Sequence, residues 1–273
     1  MRAVGPGTFR RQETKFVQGW LNTFMGEELS VDGRYGPKTT TAVKRFQVLK
    51  GLQADGKAGP VTQAKMGFLK HRNPNIVALH IPFYLIEQAN VLLRNGQAYS
   101  CKRFADEGKW DIVWNGAFFE LATLKICQFV SLAGRVQSYG MADIGIAYPN
   151  GLGAPEPRTR HESIGKPFDM QAGAPILLQE YKPRTDLTGF TVGMMASKTR
   201  RNCTGLTHTG IALMFSINGV SLYEMQAEGM YIGLRFLQGN DGGGSQSLFM
   251  GGAYVLTTDG RSIPAAVGLR IRR

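Results

Sequence analysis

Cysteine, acidic side chains and long apolar runs are all scarce in this chain of 273 residues. The three cysteines, Cys101, Cys127 and Cys203, are too few and too scattered for a disulfide framework or a zinc site, so we expect reduced packing residues. No stretch approaches the roughly 18 apolar residues of a membrane span. Residues 1–16 lack the apolar core of a secretory signal, so a role outside the cell requires another route of delivery.

The scarcity of acids leaves a net charge of +12, from 32 Lys and Arg against 20 Asp and Glu. Residues 1–70 hold 12 of these basic and 5 of these acidic residues, so they carry +7. A basic protein favours polyanions, which here means either nucleic acid or a phosphate-rich bacterial wall. Basic and aromatic residues are not interleaved as in nucleic-acid binding surfaces, so we expect no nucleic-acid partner.

An internal repeat dominates the N-terminal quarter. The pattern D-G-x-x-G-P-x-T occurs at residues 32–39 and again at 55–62, an offset of 23 residues. Asp-Gly favours a turn. Pro37 and Pro60 then stand where the first residue of a helix belongs, because the missing N–H of proline costs nothing there. Each copy therefore predicts a turn that leads into a helix.

Apolar residues at helical spacing precede the first turn and follow each copy. The three stripes consist of Phe16, Val17, Trp20, Leu21 and Phe24, of Ala42, Val43, Phe46 and Leu49, and of Val61, Ala64 and Phe68. They predict a small all-α three-helix bundle. No cluster of His or carboxylate residues accompanies them, which indicates a binding module rather than an enzyme.

The doubled motif and the Ala-Val-x-x-Phe-Gln helix at 42–47 resemble the peptidoglycan-binding domain of many cell-wall hydrolases over residues 12–68. The resemblance implies peptidoglycan as the partner. The turn residues Asp32, Arg34, Tyr35 and Lys57 are the candidates for contact with glycan or stem peptide. The Asp-Gly pairs are equally explained as structural parts of the turns.

The rhythm of the sequence changes after residue 70. His-Arg-Asn-Pro-Asn at 71–75 breaks the helical pattern and predicts a linker between a domain at 1–70 and a second domain at 76–273. In the second domain, short apolar runs alternate with glycine and polar turns, which is typical of a strand-rich α+β fold. We expect strands at 112–114, 129–132, 175–178, 210–217, 247–257 and 266–271, a helix at 222–233, and either state at 85–93.

Three short segments of the second domain could carry chemistry. Asn115 follows an apolar strand and precedes Gly-Ala-Phe-Phe, a place where polar residues often line a site. Arg200 and Arg201 precede another strand, and the arginine fork suits phosphate oxygens. Asp241 is followed by three glycines and a serine, whose backbone N–H groups could cradle a phosphate. Taken singly, each segment is also explained by an ordinary turn or by solvated charges.

Together and in this order, the three segments resemble the phosphodiester glycosidases, the family of the enzyme that uncovers mannose 6-phosphate on lysosomal proteins. The resemblance spans residues 110–273 and includes a counterpart of Gly-Pro-x-Leu at 173–177 and a terminal strand at 263–267. The chain departs from the family at Asn202, where the family has Thr, and at Gly239, where it usually has Asn. A third departure is an insertion at 173–175.

The resemblance implies roles for particular residues. Asp241 would be the base or nucleophile, Glu224 a second carboxylate, and Asn115 would orient the hydroxyls of the sugar. The phosphate would be held by Arg200, Arg201, Gly242, Gly243, Gly244 and Ser245. His208 is an alternative acid or base.

The sequence as a whole predicts a wall-targeted glycosidase or lysin that hydrolyses sugar-1-phosphodiester or related glycan linkages in bacterial wall polymers. Its partners would be peptidoglycan and anionic wall glycopolymers, and it would reach the wall by cell lysis or on a virus particle. The alternative is a non-catalytic wall-binding or virion structural protein. No cofactor is indicated; a carboxylate beside a glycine loop could hold a divalent cation, but nothing selects one.

Overall fold

The computed structural model describes residues 1–7, 10–94, 96–149, 154–185, 190–257 and 259–272. The helices of this part are α1 Arg11–Met25, α2 Pro37–Leu49, α3 Pro60–Lys65, α4 Cys101–Gly108, α5 Arg160–Ser163, α6 Val192–Ala196 and α7 Leu222–Tyr231. None of these helices is long and apolar enough to cross a membrane.

The N-terminal region contains helices at the three predicted places. A proline is the first residue of both α2 and α3, and α1 ends at Gly26, whose φ of 66° is open to glycine because glycine has no Cβ. The third helix is shorter than its apolar stripe, since it has six residues and ends at Lys65. Phe68 instead forms a β-bridge with Leu79. A small helical region is therefore present, but its third helix has fewer than two turns.

One buried glutamine organises each copy of the repeated turn. In the first copy, the side-chain nitrogen of Gln18 donates to Asp32 Oδ1, the Arg34 carbonyl and Thr39 Oγ1, and its oxygen accepts from the Gly33 N–H, at 2.9–3.2 Å. Gln47 makes the same four contacts at 2.7–3.1 Å with the residues 23 positions further along. The Asp, first Gly and Thr of the motif are therefore the partners of one side chain.

Replacing Gln47 with alanine is expected to destabilise the protein by about 2 kcal/mol. The change leaves the buried Gly56 N–H without its acceptor, and an orphaned buried group costs roughly 1–3 kcal/mol. Urea unfolding measures the loss. Gln53 is exposed and serves as the matched control; equal stabilities of Gln47→Ala and Gln53→Ala would contradict this role.

Strands dominate the described part of residues 76–272 and form three antiparallel sheets. The first sheet has the order β1 Ile76–Pro82, β12 Gly210–Ser216, β11 Asn202–Leu206, β13 Phe236–Gly239, β9 Ile176–Gln179 and β10 Lys182–Pro183. The second has the order β15 Ala253–Thr257, β14 Ser247–Met250, β3 Ile112–Asn115, β16 Ala265–Ile271 and β2 Ile86–Leu93. The third has the order β5 Arg135–Tyr139, β4 Phe129–Leu132, β8 Phe168–Ala172, β6 Ile144–Pro149 and β7 Glu156–Thr159.

The strand-rich character of this region is confirmed, and two predicted elements are revised. Residues 85–93, which the sequence left undecided between helix and strand, contain the strand β2. This strand pairs along its length with β16. The predicted strand at 247–257 is a hairpin, because Gly251 and Gly252 turn the chain with φ values of 64° and 80°. Positive φ at both central residues is what a two-residue hairpin turn requires, and glycine supplies it without strain.

The helical and strand-rich regions share one apolar core. Phe16 of α1 belongs to the same buried cluster as Leu79 of β1 and Val255 of β15. The predicted linker at 71–75 is also held in place, since two of its backbone N–H groups donate to the buried carboxylate of Glu228 at 2.9 and 3.2 Å. The boundaries 1–70 and 76–273 stay predictions, but the contacts between the two regions are extensive.

Candidate functional site

The loop that joins β13 to β14 lies against the end of β3. The N–H of Asp241 donates to the Gly116 carbonyl at 2.9 Å, and the side-chain nitrogen of Asn115 donates to the Asp241 carbonyl. Asn115 Oδ1 in turn accepts from the N–H of Ser247, the first residue of β14, at 2.9 Å. The third predicted segment adjoins the same junction, since the Gly243 N–H donates to the Arg200 carbonyl at 2.9 Å. The fold therefore brings all three predicted segments together.

A network of buried amide side chains supports this junction. Asn202 donates to the carbonyl and to Oδ1 of Asn115, at 2.8 and 2.9 Å. Asn240 donates to Thr204 Oγ1 at 2.8 Å and to Asn202 Oδ1 at 3.3 Å, and accepts from Gln171 at 3.2 Å. The network links β3, β11 and β8, one strand from each sheet. Burial makes these bonds necessary, because an unpaired buried amide is costly.

The network changes the role expected of Asn115. Its side chain is 1% exposed and its amide groups are bonded within the protein. Asn115 therefore holds Asp241 in place through the backbone and does not itself present an amide to a sugar hydroxyl. Asn202, the departure from the family pattern, occupies a central position in the same network.

The carboxyl group of Asp241 is largely buried, and burial raises its pKa from 3.8 to about 6. The Ser245 hydroxyl, the Gly242 N–H and the positive charge of Arg261 oppose this rise in pKa, because each stabilises the carboxylate. A carboxyl with a pKa near the working pH exchanges protons readily, as a general base or acid must. Groups perturbed in this way cluster at functional sites.

Arg261 supplies a cation at the site that the sequence motifs did not indicate. A methyl group added at Gly244 would lie 2.8 Å from a guanidinium nitrogen of Arg261 and 2.2 Å from Asp259 Oδ2. Arg261 and Asp259 form an ion pair at 3.2 Å, which holds the guanidinium against the glycine loop. Arg261 follows β15 and lies outside every motif, so no local signal separates it from a solvated surface arginine.

One nitrogen of the Arg201 guanidinium, Nη2, is engaged elsewhere, whereas Nε is buried without a hydrogen-bond partner in the described part of the chain. Arg201 is buried, and its Nη2 donates to the Met194 carbonyl at 3.0 Å and to the carbonyl and hydroxyl of Ser197 at 2.9 and 2.8 Å. Burial lowers the pKa of Arg201, although a guanidinium stays charged in proteins. Arg201 thus holds the end of α6, and Arg261 is the cation whose charge acts on Asp241.

Two of the predicted phosphate-binding amides are used within the protein. The Gly242 N–H donates to the carboxyl of Asp241, and the Gly243 N–H donates to the Arg200 carbonyl at 2.9 Å. Ser245 is buried and directs its hydroxyl to Asp241. The loop therefore shapes the surroundings of Asp241, and Arg261 is the stronger candidate for holding a phosphate.

Two predicted acid–base residues have other contacts. Glu224 closes a capping box at the start of α7, where its carboxylate accepts from the Ser221 N–H at 2.8 Å and from Asn73 at 3.2 Å. The hydrogen bond from the Ser221 backbone is the main reason that the pKa of Glu224 is lowered. His208 is exposed and is hydrogen-bonded to the Tyr181 hydroxyl. The described contacts join neither group to the Asp241 loop, so we keep neither in the proposed site.

The four turn residues predicted to touch the wall divide into two pairs. Asp32 accepts from the Arg34 N–H at 2.8 Å, and Tyr35 is buried with its hydroxyl donating to the Gly56 carbonyl at 2.9 Å. Asp32 thus stabilises its own turn, and Tyr35 ties the first turn to the second. Arg34 and Lys57, at the same place in the two copies, are exposed and can be reached by a ligand.

The cysteines and acids offer little for thiol or metal chemistry. Cys101 and Cys203 are buried, and burial raises the pKa of each thiol to about 12, so neither is a thiolate at neutral pH. All three cysteines are free. Among the residues that the structure describes, no group of three or more His, Cys, Asp or Glu side chains is arranged to hold a metal ion.

Comparison with known sequences identifies the N-terminal region. Residues 10–66 match the family model described as "Putative peptidoglycan binding domain". The zinc D-Ala-D-Ala carboxypeptidase of Streptomyces albus G is 54% identical over 50 residues, which are 18% of this chain and 19% of that protein. An N-acetylmuramoyl-L-alanine amidase of Bacillus licheniformis is 61% identical over 36 residues, 13% of this chain and 10% of that protein. The chain thus spans a fifth or less of the length of these relatives.

Comparison with solved structures concerns most of the chain. The zebrafish N-acetylglucosamine-1-phosphodiester alpha-N-acetylglucosaminidase catalytic domain, auto-inhibited by its pro-peptide, has a TM-score of 0.56 at 15% identity, over 72% of this chain and 76% of its own. A hypothetical protein from Synechocystis has a TM-score of 0.60 at 13% identity, over 75% of this chain and 61% of its own. Identities this low show the fold alone. The chain therefore carries a peptidoglycan-binding domain at residues 10–66, joined to a region with the fold of a phosphodiester glycosidase catalytic domain.

Proposed function

We propose that this protein is a cell-wall hydrolase whose strand-rich region cleaves glycosyl phosphodiesters of bacterial wall polymers, while its N-terminal domain holds it on peptidoglycan. The observation that carries the proposal is Asp241, a largely buried carboxyl with its pKa raised to about 6, set beside Arg261 and the glycine loop. The peptidoglycan-binding match and the likeness in fold support the same function.

In the proposed reaction, the bond between the anomeric carbon of a sugar and a phosphodiester oxygen breaks. Asp241 acts as base, taking a proton from the attacking water, or as nucleophile, forming a glycosyl ester that water then hydrolyses. The bonding electron pair leaves with the phosphate, so the products are a sugar with a free anomeric hydroxyl and a phosphomonoester. A phosphate is a weak base, so its departure needs a nearby cation more than a strong acid, and Arg261 provides that charge.

The wall-binding half of the proposal assigns Arg34 and Lys57 to anionic groups of the wall. The two exposed cations recur at the same point of the repeated turn, and residues 1–70 carry a net charge of +7. Attraction between exposed charges is screened by salt. Part of the affinity for walls should therefore fall as the ionic strength rises.

Hydrolysis of isolated bacterial walls in oxygen-18 water, followed by mass spectrometry of the soluble products, tests the proposed reaction. A glycosidase of this kind places the label on the anomeric carbon of the released sugar and leaves the phosphomonoester unlabelled. Label in the phosphate would indicate attack at phosphorus, and new amino groups would indicate an amidase or peptidase. Either result would contradict the proposal.

A non-catalytic wall-binding or virion structural protein is the second candidate. The observation in its favour is Arg201, the arginine of the family motif, whose Nη2 donates to the Met194 and Ser197 carbonyls. Wall binding by the intact protein with no soluble product from any wall preparation would support this second candidate.

Replacing Arg261 with alanine is expected to lower kcat/KM for an aryl N-acetylhexosamine-1-phosphate diester by roughly a hundredfold, as loss of an electrostatic donor typically does. The acid limb of the pH profile should also move to higher pH, because the charge of Arg261 lowers the pKa of Asp241. Arg261→Lys should retain part of the activity. Arg103→Ala, at an exposed position of α4, is the control; an Arg261→Ala profile that matches it would remove Arg261 from the site.

A further inference from the structure

Helix α1 of the peptidoglycan-binding domain lies against the tip of the β14–β15 hairpin. The Asn22 side-chain nitrogen donates to the carbonyl of Gly251, in the hairpin turn, at 3.1 Å. The side-chain nitrogen of Gln12 donates to the Val255 carbonyl in β15. The domain that binds the wall therefore makes specific polar contacts with one particular hairpin of the strand-rich region.

The backbones of α1 and the hairpin approach each other closely. A methyl group at Gly19 would lie 2.4 Å from Val255 Cγ2 and 3.2 Å from the Met250 carbonyl oxygen. A methyl group at Gly251 would lie 2.5 Å from the Gly19 carbonyl oxygen. Glycine within a helix costs roughly 1 kcal/mol relative to alanine. Gly19 is nevertheless required there, because no side chain fits between the helix and the hairpin.

The other end of the same hairpin carries the candidate site. Ser245 precedes β14 by two residues, and Asp259 follows β15 by two residues, next to Arg261. At about 3.3 Å per residue, the four residues of β14 place the end of the glycine loop roughly 13 Å from the tip. Because β14 is paired with both β15 and β3, the tip and the start of the glycine loop belong to one paired unit.

We propose that helix α1 of the peptidoglycan-binding domain positions the glycine loop and Arg261 by holding the β14–β15 hairpin at its tip. Gly19, Asn22 and Gln12 are then positioning residues for a reaction that takes place at the opposite end of the hairpin. The domain acts as a structural part of the catalytic unit as well as a wall anchor. The effect on turnover rests on the proposed function, but the effect on the hairpin does not.

The substitution Gly19→Ala tests this coupling, with Gly36→Ala as the matched control, since a methyl group at Gly36 meets no atom within 4 Å. Hydrogen–deuterium exchange of the peptide covering residues 240–257 should become faster in Gly19→Ala and stay unchanged in Gly36→Ala. With the aryl N-acetylhexosamine-1-phosphate diester, kcat should fall about tenfold, as a small misplacement of catalytic groups can cause. Binding to isolated walls should persist.

The double variant Gly19→Ala/Val255→Ala separates positioning from general damage. Removing the Val255 methyl groups makes room for the added methyl, so both the exchange rate and kcat should return toward the wild-type values. Gln12→Ala, which removes one contact without adding bulk, covers the case in which Gly19→Ala does not fold. Unchanged exchange in residues 240–257 for both Gly19→Ala and Gln12→Ala would overturn the inference. Changed exchange in a protein that hydrolyses no substrate would instead count against the proposed function alone.

Discussion

Replacing Asp241 with asparagine is expected to abolish turnover while leaving wall binding intact. The amide can neither accept the proton of an attacking water nor form a glycosyl ester, whereas the exposed Arg34 and Lys57 of the wall-binding domain are unaffected. An Asn-Gly pair slowly deamidates, and part of the product is Asp-Gly, so Asp241→Ala is the companion variant. Asp106→Asn, at an exposed position of α4, is the control. Full activity of Asp241→Ala on isolated walls would exclude Asp241 from the chemistry.

The same substitution is expected to change how stability depends on pH. The pKa of Asp241 is about 6 in the folded protein and 3.8 when unperturbed. The folded protein therefore holds the proton of Asp241 more tightly than the unfolded chain, which stabilises the fold at pH values below 3.8. This stabilisation is lost as the pH rises through about 6. A difference of about two between the folded and unfolded pKa values corresponds to roughly 3 kcal/mol in the free energy of unfolding. Asp241→Asn should therefore gain up to that amount relative to the wild type between pH 4 and pH 7.

Urea unfolding of both proteins across this pH range measures the difference in the free energy of unfolding. Asp106→Asn, which removes an exposed carboxyl group, is measured alongside as the control. The acid limb of the wild-type kcat/KM profile should fall near pH 6, where Asp241 loses its charge. An offset between Asp241→Asn and wild type that does not vary with pH would show that the carboxyl is not desolvated in the folded protein.

Replacing Asn115 with alanine is expected to destabilise the protein by roughly 3 kcal/mol or more, because an orphaned buried polar group costs about 1–3 kcal/mol and at least two are created. The Ser247 N–H would lose its acceptor and the Asp241 carbonyl its donor. The Asn202 amide would keep only the backbone carbonyl of residue 115 as an acceptor. Urea unfolding at a fixed pH measures the loss. Turnover should fall as well, because the loop that carries Asp241 loses its anchor on β3.

The exposed Asn218 is the matched control for Asn115. Its side chain makes a hydrogen bond to Asn75 Oδ1 at 2.9 Å, and a single exposed bond of this kind contributes little because water replaces it. Asn218→Ala should therefore stay within about 1 kcal/mol of the wild type. Equal losses for the two variants would mean that the buried amide network does not support the site.

Local sequence determines the parts of this protein whose physics is local. The repeated turns could be predicted because Asp-Gly, proline at the start of a helix and the apolar stripe act within a few residues of one another. The strands at 112–114 and 129–132 were recognisable because each is a short apolar run. By contrast, β5 alternates between exposed and half-buried residues and β7 is half-buried throughout, so neither has an apolar run to reveal it.

The tertiary structure alone decided the composition of the site. The glycine loop and Asn115 could be named from their motifs. The hydrogen bonds of buried Asn115, and those that direct Arg201 toward α6, could not be predicted because they depend on the tertiary fold. Arg261 lies near Asp241 because the chain turns back toward the glycine loop after β15. No spacing in the sequence encodes that approach. The contact between Gly19 and Val255 joins residues 236 positions apart. Turns and helix starts are encoded by their neighbours, whereas the surroundings of a buried carboxyl are set by whichever segments the fold packs around it.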